Sequence, residues 1–400
     1  MEYDFQKIID RKGTNALNND GYRKYLFGES EILLENADID NLIPMWVADM
    51  NFSVAPEILN AIKQRLEHGI LGYTQIFDNA YYDSFAHWVS SQYKWDVNIE
   101  HIVTSNGIIP ALYDLVRLLS KPDEKILFLT PSYGFFKKAA EYSNREYIAS
   151  DLINTNGIYC IDFDDIREKC SRADVCICIL CNPHNPTGRA WTESELKEFG
   201  TICIENNVLI ISDDIHCDLT RKSAKYTPIG KLFPNSDKII TCMAPSKTFN
   251  LAGLMMSNLV IPSDSIRALW NADHLPFVNP LSACAVEAAY THGHAWLDKL
   301  TEYLDANFAY LHSYLMENLP LAKFTIPEST YLAWIDISEY FDENENLTKF
   351  FIEKAGVIIE GGEMFVSKNN GFIRLNLKKK KKTVVEGISK IAEAIKKYRL

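Results

Sequence analysis

The sequence has no excess of positive charge, no paired cysteine framework and no long uninterrupted apolar run. Lys and Arg number 41 against 53 Asp and Glu, a net charge of −12. A general nucleic-acid or anionic-membrane binder needs a basic surface, so neither partner is expected. The nine cysteines are odd in number, and no CxxC pair has a matching His or Cys partner set. Neither a disulfide framework nor a metal site is therefore expected. Cys176, Cys178 and Cys181 lie in the apolar run Val-Cys-Ile-Cys-Ile-Leu-Cys. In a strand the first two share a face and the third does not, which suits small core residues better than converging ligands. Free thiols fit a reducing cytoplasm. The opening Met-Glu-Tyr-Asp-Phe-Gln-Lys lacks the basic start and apolar stretch of a signal peptide. No stretch approaches the ~18 apolar residues of a membrane span. A cytoplasmic protein is expected.

What is present is an ordinary globular composition, long enough for two or three domains. Short apolar runs without alternation occur at Lys125–Thr130, Val175–Leu180, Val208–Ser212, Lys238–Thr241 and Ser257–Ile261. Such runs are expected of strands covered on both sheet faces. Helical spacing is found over Pro56–His68, Asp78–Tyr93, Ile108–Leu119 and Tyr133–Tyr142. Thr192-Glu-Ser-Glu195 is a capping box that opens another helix between two of the runs. Strands alternating with helices indicate an α/β unit with a largely parallel sheet. From about Tyr290 the texture changes to a long helix (Ala295–Asn318), a strand (Tyr331–Ile337), a helix (Leu347–Ala355) and a strand (Gly371–Leu377). Thr383-Val-Val-Glu386 reads as a second capping box that opens a last helix to about Tyr398. The five lysines Lys378–Lys382 are expected in a solvated loop before it.

Three polar segments follow three successive apolar runs: Asn182-Pro-His-Asn-Pro-Thr-Gly188, Ser212-Asp-Asp-Ile-His216 and Ser246-Lys-Thr-Phe-Asn250. Ligands of open α/β sheets sit beyond the carboxyl ends of strands. One crevice would thus receive an amide, a carboxylate and an amine. That set suits an electron-sink cofactor. The amine condenses with an aldehyde, and the carboxylate keeps a ring nitrogen protonated. The amide donates to a phenolic oxygen. Thr104-Ser-Asn-Gly-Ile108 adds a small-residue turn before a helix, where backbone N–H groups hold a phosphate.

With these segments in order, the chain resembles the fold-type I pyridoxal-phosphate (PLP) enzymes of the aspartate aminotransferase superfamily. It is most similar to the MalY/PatB group of cysteine-S-conjugate β-lyases, which includes cystalysin. The resemblance also runs through Tyr3-Asp-Phe5, Trp46-Val-Ala-Asp-Met50, Leu71-Gly-Tyr-Thr74, Thr130-Pro-Ser-Tyr133, Tyr331–Asp336 and Phe372–Asn376. It implies a large PLP-binding domain over 52–289 with a mostly parallel seven-stranded sheet. A smaller α+β domain would be built from 1–51 and 290–400. It implies Lys247 as the Schiff-base lysine and proton carrier, Asp213 on the pyridine nitrogen and Asn185 on the phenolic oxygen. Tyr133 would stack on the ring and assist catalysis. Gly107, Ile108 and Ser246 would hold the phosphate. Tyr73 would reach the neighbouring site of a homodimer, Arg374 would grip the substrate carboxylate, and His216 and Ala48 would lie beside cofactor and substrate. The activity implied is α,β-elimination of cystathionine or related cysteine conjugates.

The sequence departs from that pattern in places. Met255 stands where aminotransferases carry a phosphate-binding arginine, an arginine that cystalysin-like lyases also lack. Asn51 replaces an acidic residue, and Gly134 replaces a second tyrosine. Leu377 and the lysine run replace small residues and proline. Two rival readings share the motifs: an aminotransferase, which differs only in the fate of one intermediate, and a regulatory protein that keeps the fold for protein contacts.

Overall fold

The computed structural model describes residues 3–7, 9–28, 38–366 and 370–399. Its centre is a seven-stranded sheet of Ile102–Ser105, Lys125–Thr130, Glu146–Asp151, Val175–Cys181, Leu209–Asp213, Ile239–Met243 and Ser257–Val260. Named by first residue, the order across the sheet is 102, 257, 239, 209, 175, 125, 146. The run from 239 to 146 is parallel throughout, and Ser257–Val260 lies antiparallel to both its neighbours.

Both faces are covered, which is why the strands read as unbroken apolar runs. Ile177, Ile179 and Cys181 face one way, into a cluster with Ala111, Leu112, Leu115 and Val116. Those four, with Ile108, form the buried stripe of the helix Ile108–Leu119, at the spacing a helix presents to a core. Cys178 and Leu180 face the other way, against Leu196, Phe199 and Ile202. These lie on the helix Glu193–Glu205, whose capping box at Thr192 forms as expected. Two strands of the sheet had no apolar-run signal. Ile102–Ser105 is only four residues long and ends in Thr-Ser. Glu146–Asp151 is an edge strand in which only Ser150 is fully covered.

A smaller three-stranded sheet has Phe372–Asn376 between Leu332–Asp336 and Glu360–Gly361, all antiparallel. Ile43–Pro44 pairs in parallel with Val357–Ile358 and so ties the opening segment to this region. The helix His294–Asn318 serves two cores. Trp296, Leu297, Leu300 and Leu304 pack with helices of the large sheet, while Phe308, Leu311 and Leu315 pack under the small one. Among the described residues no helix is long and apolar enough to cross a membrane.

The C-terminal lysine run departs from expectation. Lys378 and Lys379 are fully buried, and of Lys378–Lys382 only Lys382 is exposed. The last helix spans Lys381–Arg399, so Thr383 sits inside its first turn rather than capping it. The N–H of Val384 already bonds to Lys380 O at 3.1 Å, which commits the chain to helix before Thr383 can act as a cap.

Candidate active site

Five strands of the large sheet end at one cavity of about 200 Å³. Gly107, Tyr133, Asn185 and Lys247 lie on the segments that follow Ile102–Ser105, Lys125–Thr130, Val175–Cys181 and Ile239–Met243, and Asp213 is the last residue of Leu209–Asp213. Ile108, His216, Ser246, Ala48 and Arg374 also line it. Of the residues singled out in the sequence, only Tyr73 lies elsewhere, 93% exposed, with its ring 5.0 Å from that of Phe277.

Lys247 Nζ donates to Ala48 O at 2.7 Å. Burial lowers its pKa to about 8, opposed by Asp49, reinforced by Arg374 and opposed again by Asp213. Desolvation penalises the ammonium and leaves the amine available as a nucleophile. Asp213 is buried at the end of its strand, and burial raises its pKa to about 6. The backbone N–H of Ile215 at 3.2 Å and the charge of Lys247 act against that rise. His216 is held well below the ordinary imidazole range by burial and by Lys247, Lys378 and Arg374. Its Nδ1 is buried without a hydrogen-bond partner.

Arg374 is buried on the central strand of the small sheet, directly opposite Glu360 in the register. One guanidinium nitrogen donates to Asn185 Oδ1 at 2.9 Å and another pairs with the Glu360 carboxylate. Its Nε is left without a partner. The contact with Arg374 fixes the Asn185 amide with its oxygen outward, so its NH₂ is the half free to donate into the cavity. Burial and Tyr25 push the Tyr133 hydroxyl well above its ordinary range, so it keeps its proton.

The helix Ile108–Leu119 starts at the cavity with no side-chain cap on its first N–H groups. Gly107 precedes it at φ 111°, a conformation that needs glycine. Uncapped N–H groups at a helix start, with the Ser246 hydroxyl nearby, make a seat for a phosphate. Met255, in the place of the aminotransferase arginine, also lines the cavity.

Three groups in or behind the cavity wall carried no local signal of their part in it. Cys181 is buried in the core as expected, and it also lines the cavity, where its Sγ accepts the Asn185 N–H at 3.4 Å. Tyr331 opens a recognised motif, but nothing local indicates that its OH donates to Ala48 O at 2.8 Å. Glu360 had no signal at all.

The aminotransferase class I and II family description matches residues 41–391. Cystathionine beta-lyase PatB of Bacillus subtilis (strain 168) is 36% identical over 396 residues, covering 98% of this chain and 99% of that protein. A PLP-bound C–S lyase from Staphylococcus hominis, solved with the inhibitor L-cycloserine, superposes with a TM-score of 0.96 at 47% identity, over 99% of this chain and 98% of that one. Cystalysin from Treponema denticola, which contains a pyridoxal 5'-phosphate cofactor, gives a TM-score of 0.93 at 30% identity, over 99% and 100% of the two chains. Fold, order of motifs and whole-length likeness agree: this chain belongs to the aminotransferase class I and II family, in its MalY/PatB-type branch of fold-type I PLP enzymes.

Proposed function

We infer that the protein is a PLP-dependent carbon–sulfur β-lyase that splits cystathionine or related cysteine S-conjugates into pyruvate, ammonia and a thiol. The observation that carries this reading is the meeting of Lys247, Asp213, Asn185 and Arg374 in one cavity, in a chain alike over its whole length to C–S lyases. The cavity chemistry fits the cofactor: an amine, a facing carboxylate, an amide donor and an uncapped helix start. In the proposed assignment Lys247 holds the aldehyde carbon, Asp213 the ring nitrogen, Asn185 the phenolic oxygen, and Gly107, Ile108 and Ser246 the phosphate. Tyr133 would stack on the ring and His216 would lie beside it.

When bound, the cofactor supplies an aldehyde that condenses with amines and a protonated ring that takes up an electron pair. The protein's own groups do the rest. With its pKa lowered to about 8, Lys247 holds far more neutral amine at pH 7 than an ordinary lysine does. Arg374 grips the substrate α-carboxylate, its fork oriented by Glu360 and Asn185. Ala48 lies beside the bound substrate. Lys247, freed by the substrate's amino group, takes the Cα proton. Tyr133, still protonated, or Lys247 itself gives a proton to the departing sulfur. The aminoacrylate then leaves and hydrolyses to pyruvate and ammonia.

The exposed apolar residues Tyr73, Phe77, Leu275 and Phe277 support a homodimer, since a patch of this kind usually marks a contact surface. In that dimer Tyr73 would complete the partner's phosphate site. We assign the large unit to 52–289 and the small one to 1–51 with 290–400, and place the enzyme in the cytoplasm. The separate apolar cluster beneath the small sheet supports the division.

Incubation with cystathionine and no oxo-acid tests the activity. Pyruvate accumulating over many turnovers is the expected result. Arrest after one cofactor equivalent would mean an aminotransferase, and no turnover with retained cofactor would favour a regulatory role.

A further inference from the structure

The buried lysine at position 378 is not explained by the reading above. Asn376 sets its course: Asn376 Oδ1 accepts from Lys378 N at 2.8 Å while Asn376 Nδ2 donates to Val47 O at 2.7 Å and Asp49 O at 2.6 Å. The turn sends the Lys378 side chain inward. Its Nζ donates to the main-chain carbonyl of Lys247 and lies 3.8 Å from the centre of the Tyr331 ring. Tyr331 OH and Lys247 Nζ in turn share Ala48 O. The contacts close a circuit in which Lys378 holds the backbone of Lys247, Ala48 holds its amine, and Tyr331 joins the two holders. Lys378 lies behind the cavity wall and is not among the residues that line it.

A buried amine normally meets a carboxylate. Here a carbonyl and an aromatic face receive it, and neither carries a full negative charge. The groups facing the two lysines are Asp49 from the opening segment, Asp213, His216 and Asp218 around the end of the strand Leu209–Asp213, and Arg374 from the small sheet.

We propose that Lys378 is a positioning residue for Lys247, clamping the backbone beneath the reactive amine and competing with it for protonation. This rests on Lys247 being the lysine that holds the cofactor. Burial and Lys247 push the Lys378 ammonium well below the ordinary lysine range, against Asp218 and Asp49. Lys247 takes the proton first, and its charge holds Lys378 neutral, so removing Lys247 raises the pKa of Lys378.

The test uses Lys378→Met, which keeps the apolar stem, and Lys378→Gln, which keeps a neutral N–H donor for the Lys247 carbonyl. In the holoenzyme, the pH midpoint of the cofactor's visible band reports the nitrogen of Lys247. In the cofactor-free chain, acylation of Lys247 over roughly pH 6 to 10, read by peptide mass, reports its neutral amine. Loss of the clamp lets water reach the Lys247 amine, so both midpoints should rise by about half a pH unit or more in Lys378→Met and stay put in Lys378→Gln. Unmoved midpoints in a folded Lys378→Met protein overturn the proposal. If that variant does not fold, Lys247→Ala decides instead. Carbon-13 resonances of lysine Cε should then show Lys378 titrating at higher pH, because the Lys247 charge that lowers it is gone, and an unmoved Lys378 overturns the proposal. Borohydride reduction of the holoenzyme with peptide mapping separately tests the cofactor's attachment. A label on another lysine would sink the reading of the site, not the measured coupling.

Discussion

Lys247 Nζ and Tyr331 OH donate to the same acceptor, Ala48 O, at 2.7 and 2.8 Å. That carbonyl belongs to the opening segment, Lys247 follows a strand of the large sheet, and Tyr331 leads into the small one. The reactive amine is thereby parked where three distant parts of the chain converge. It must leave Ala48 O to form a covalent bond, while Tyr331 can stay and keep the carbonyl satisfied.

Replacing Lys247 by Ala should remove the visible absorption band and lower pyruvate formation by at least ~10³-fold, since attachment and proton transfer are both lost. Absorbance and a pyruvate assay check it. A fully active alanine variant would refute the assignment.

Cofactor uptake by the cofactor-free protein should depend on pH with a definite sign. The neutral amine is the attacking form, and burial lowers its pKa to about 8. The uptake rate should rise by about tenfold per pH unit below that value and level off above it. A rate still climbing steeply beyond pH 9 to about 10 would show an ordinary lysine.

Asp213→Asn keeps the shape but removes the charge that holds the ring nitrogen protonated. Cofactor should remain bound, because Lys247 and the phosphate seat are untouched. The kcat should fall by roughly 10²- to 10³-fold. Steady-state kinetics at saturating substrate would expose the idea if kcat were unchanged.

Arg374→Met should raise KM and also destabilise the fold by about 3 kcal/mol or more, because it strands the Glu360 carboxylate without its partner. Adding Glu360→Gln should recover much of the stability but none of the KM. Chemical denaturation of both variants, set beside their KM values, separates the two roles. Additive stability losses would mean the pair is not coupled.

Tyr73→Ala and Lys247→Ala should each be inactive alone yet complement when mixed and allowed to exchange subunits. A hybrid dimer holds one site with both native groups, so random exchange should restore roughly a quarter of the native sites. No recovery in a mixture proven to exchange would show that Tyr73 does not serve the partner.

The strands and the order of the polar segments were readable because sheet burial on both faces leaves an apolar run in the sequence. Lys125–Thr130 and the helices Ile108–Leu119 and Leu347–Ala355 fall where spacing predicts them. The edge strand Glu146–Asp151 was not readable, because at the sheet edge both its faces are only partly covered and it keeps polar residues. Lys378 and Lys379 were misread as solvated, since a run of lysines looks the same whatever packs over it. Lys379 Nζ in fact reaches Asn51 Oδ1 at 3.1 Å, at the position where an acidic residue was expected.

By itself the sequence determined which chemical groups exist and which strand end carries each of them, because local patterning fixes strands and the segments that follow. Only the tertiary structure decided their electrostatics: Glu360 against Arg374, Ala48 O beneath the Lys247 amine and Lys378 behind it. Charge and proton affinity depend on what lies within a few ångströms in space, and here those neighbours come from segments far apart along the chain.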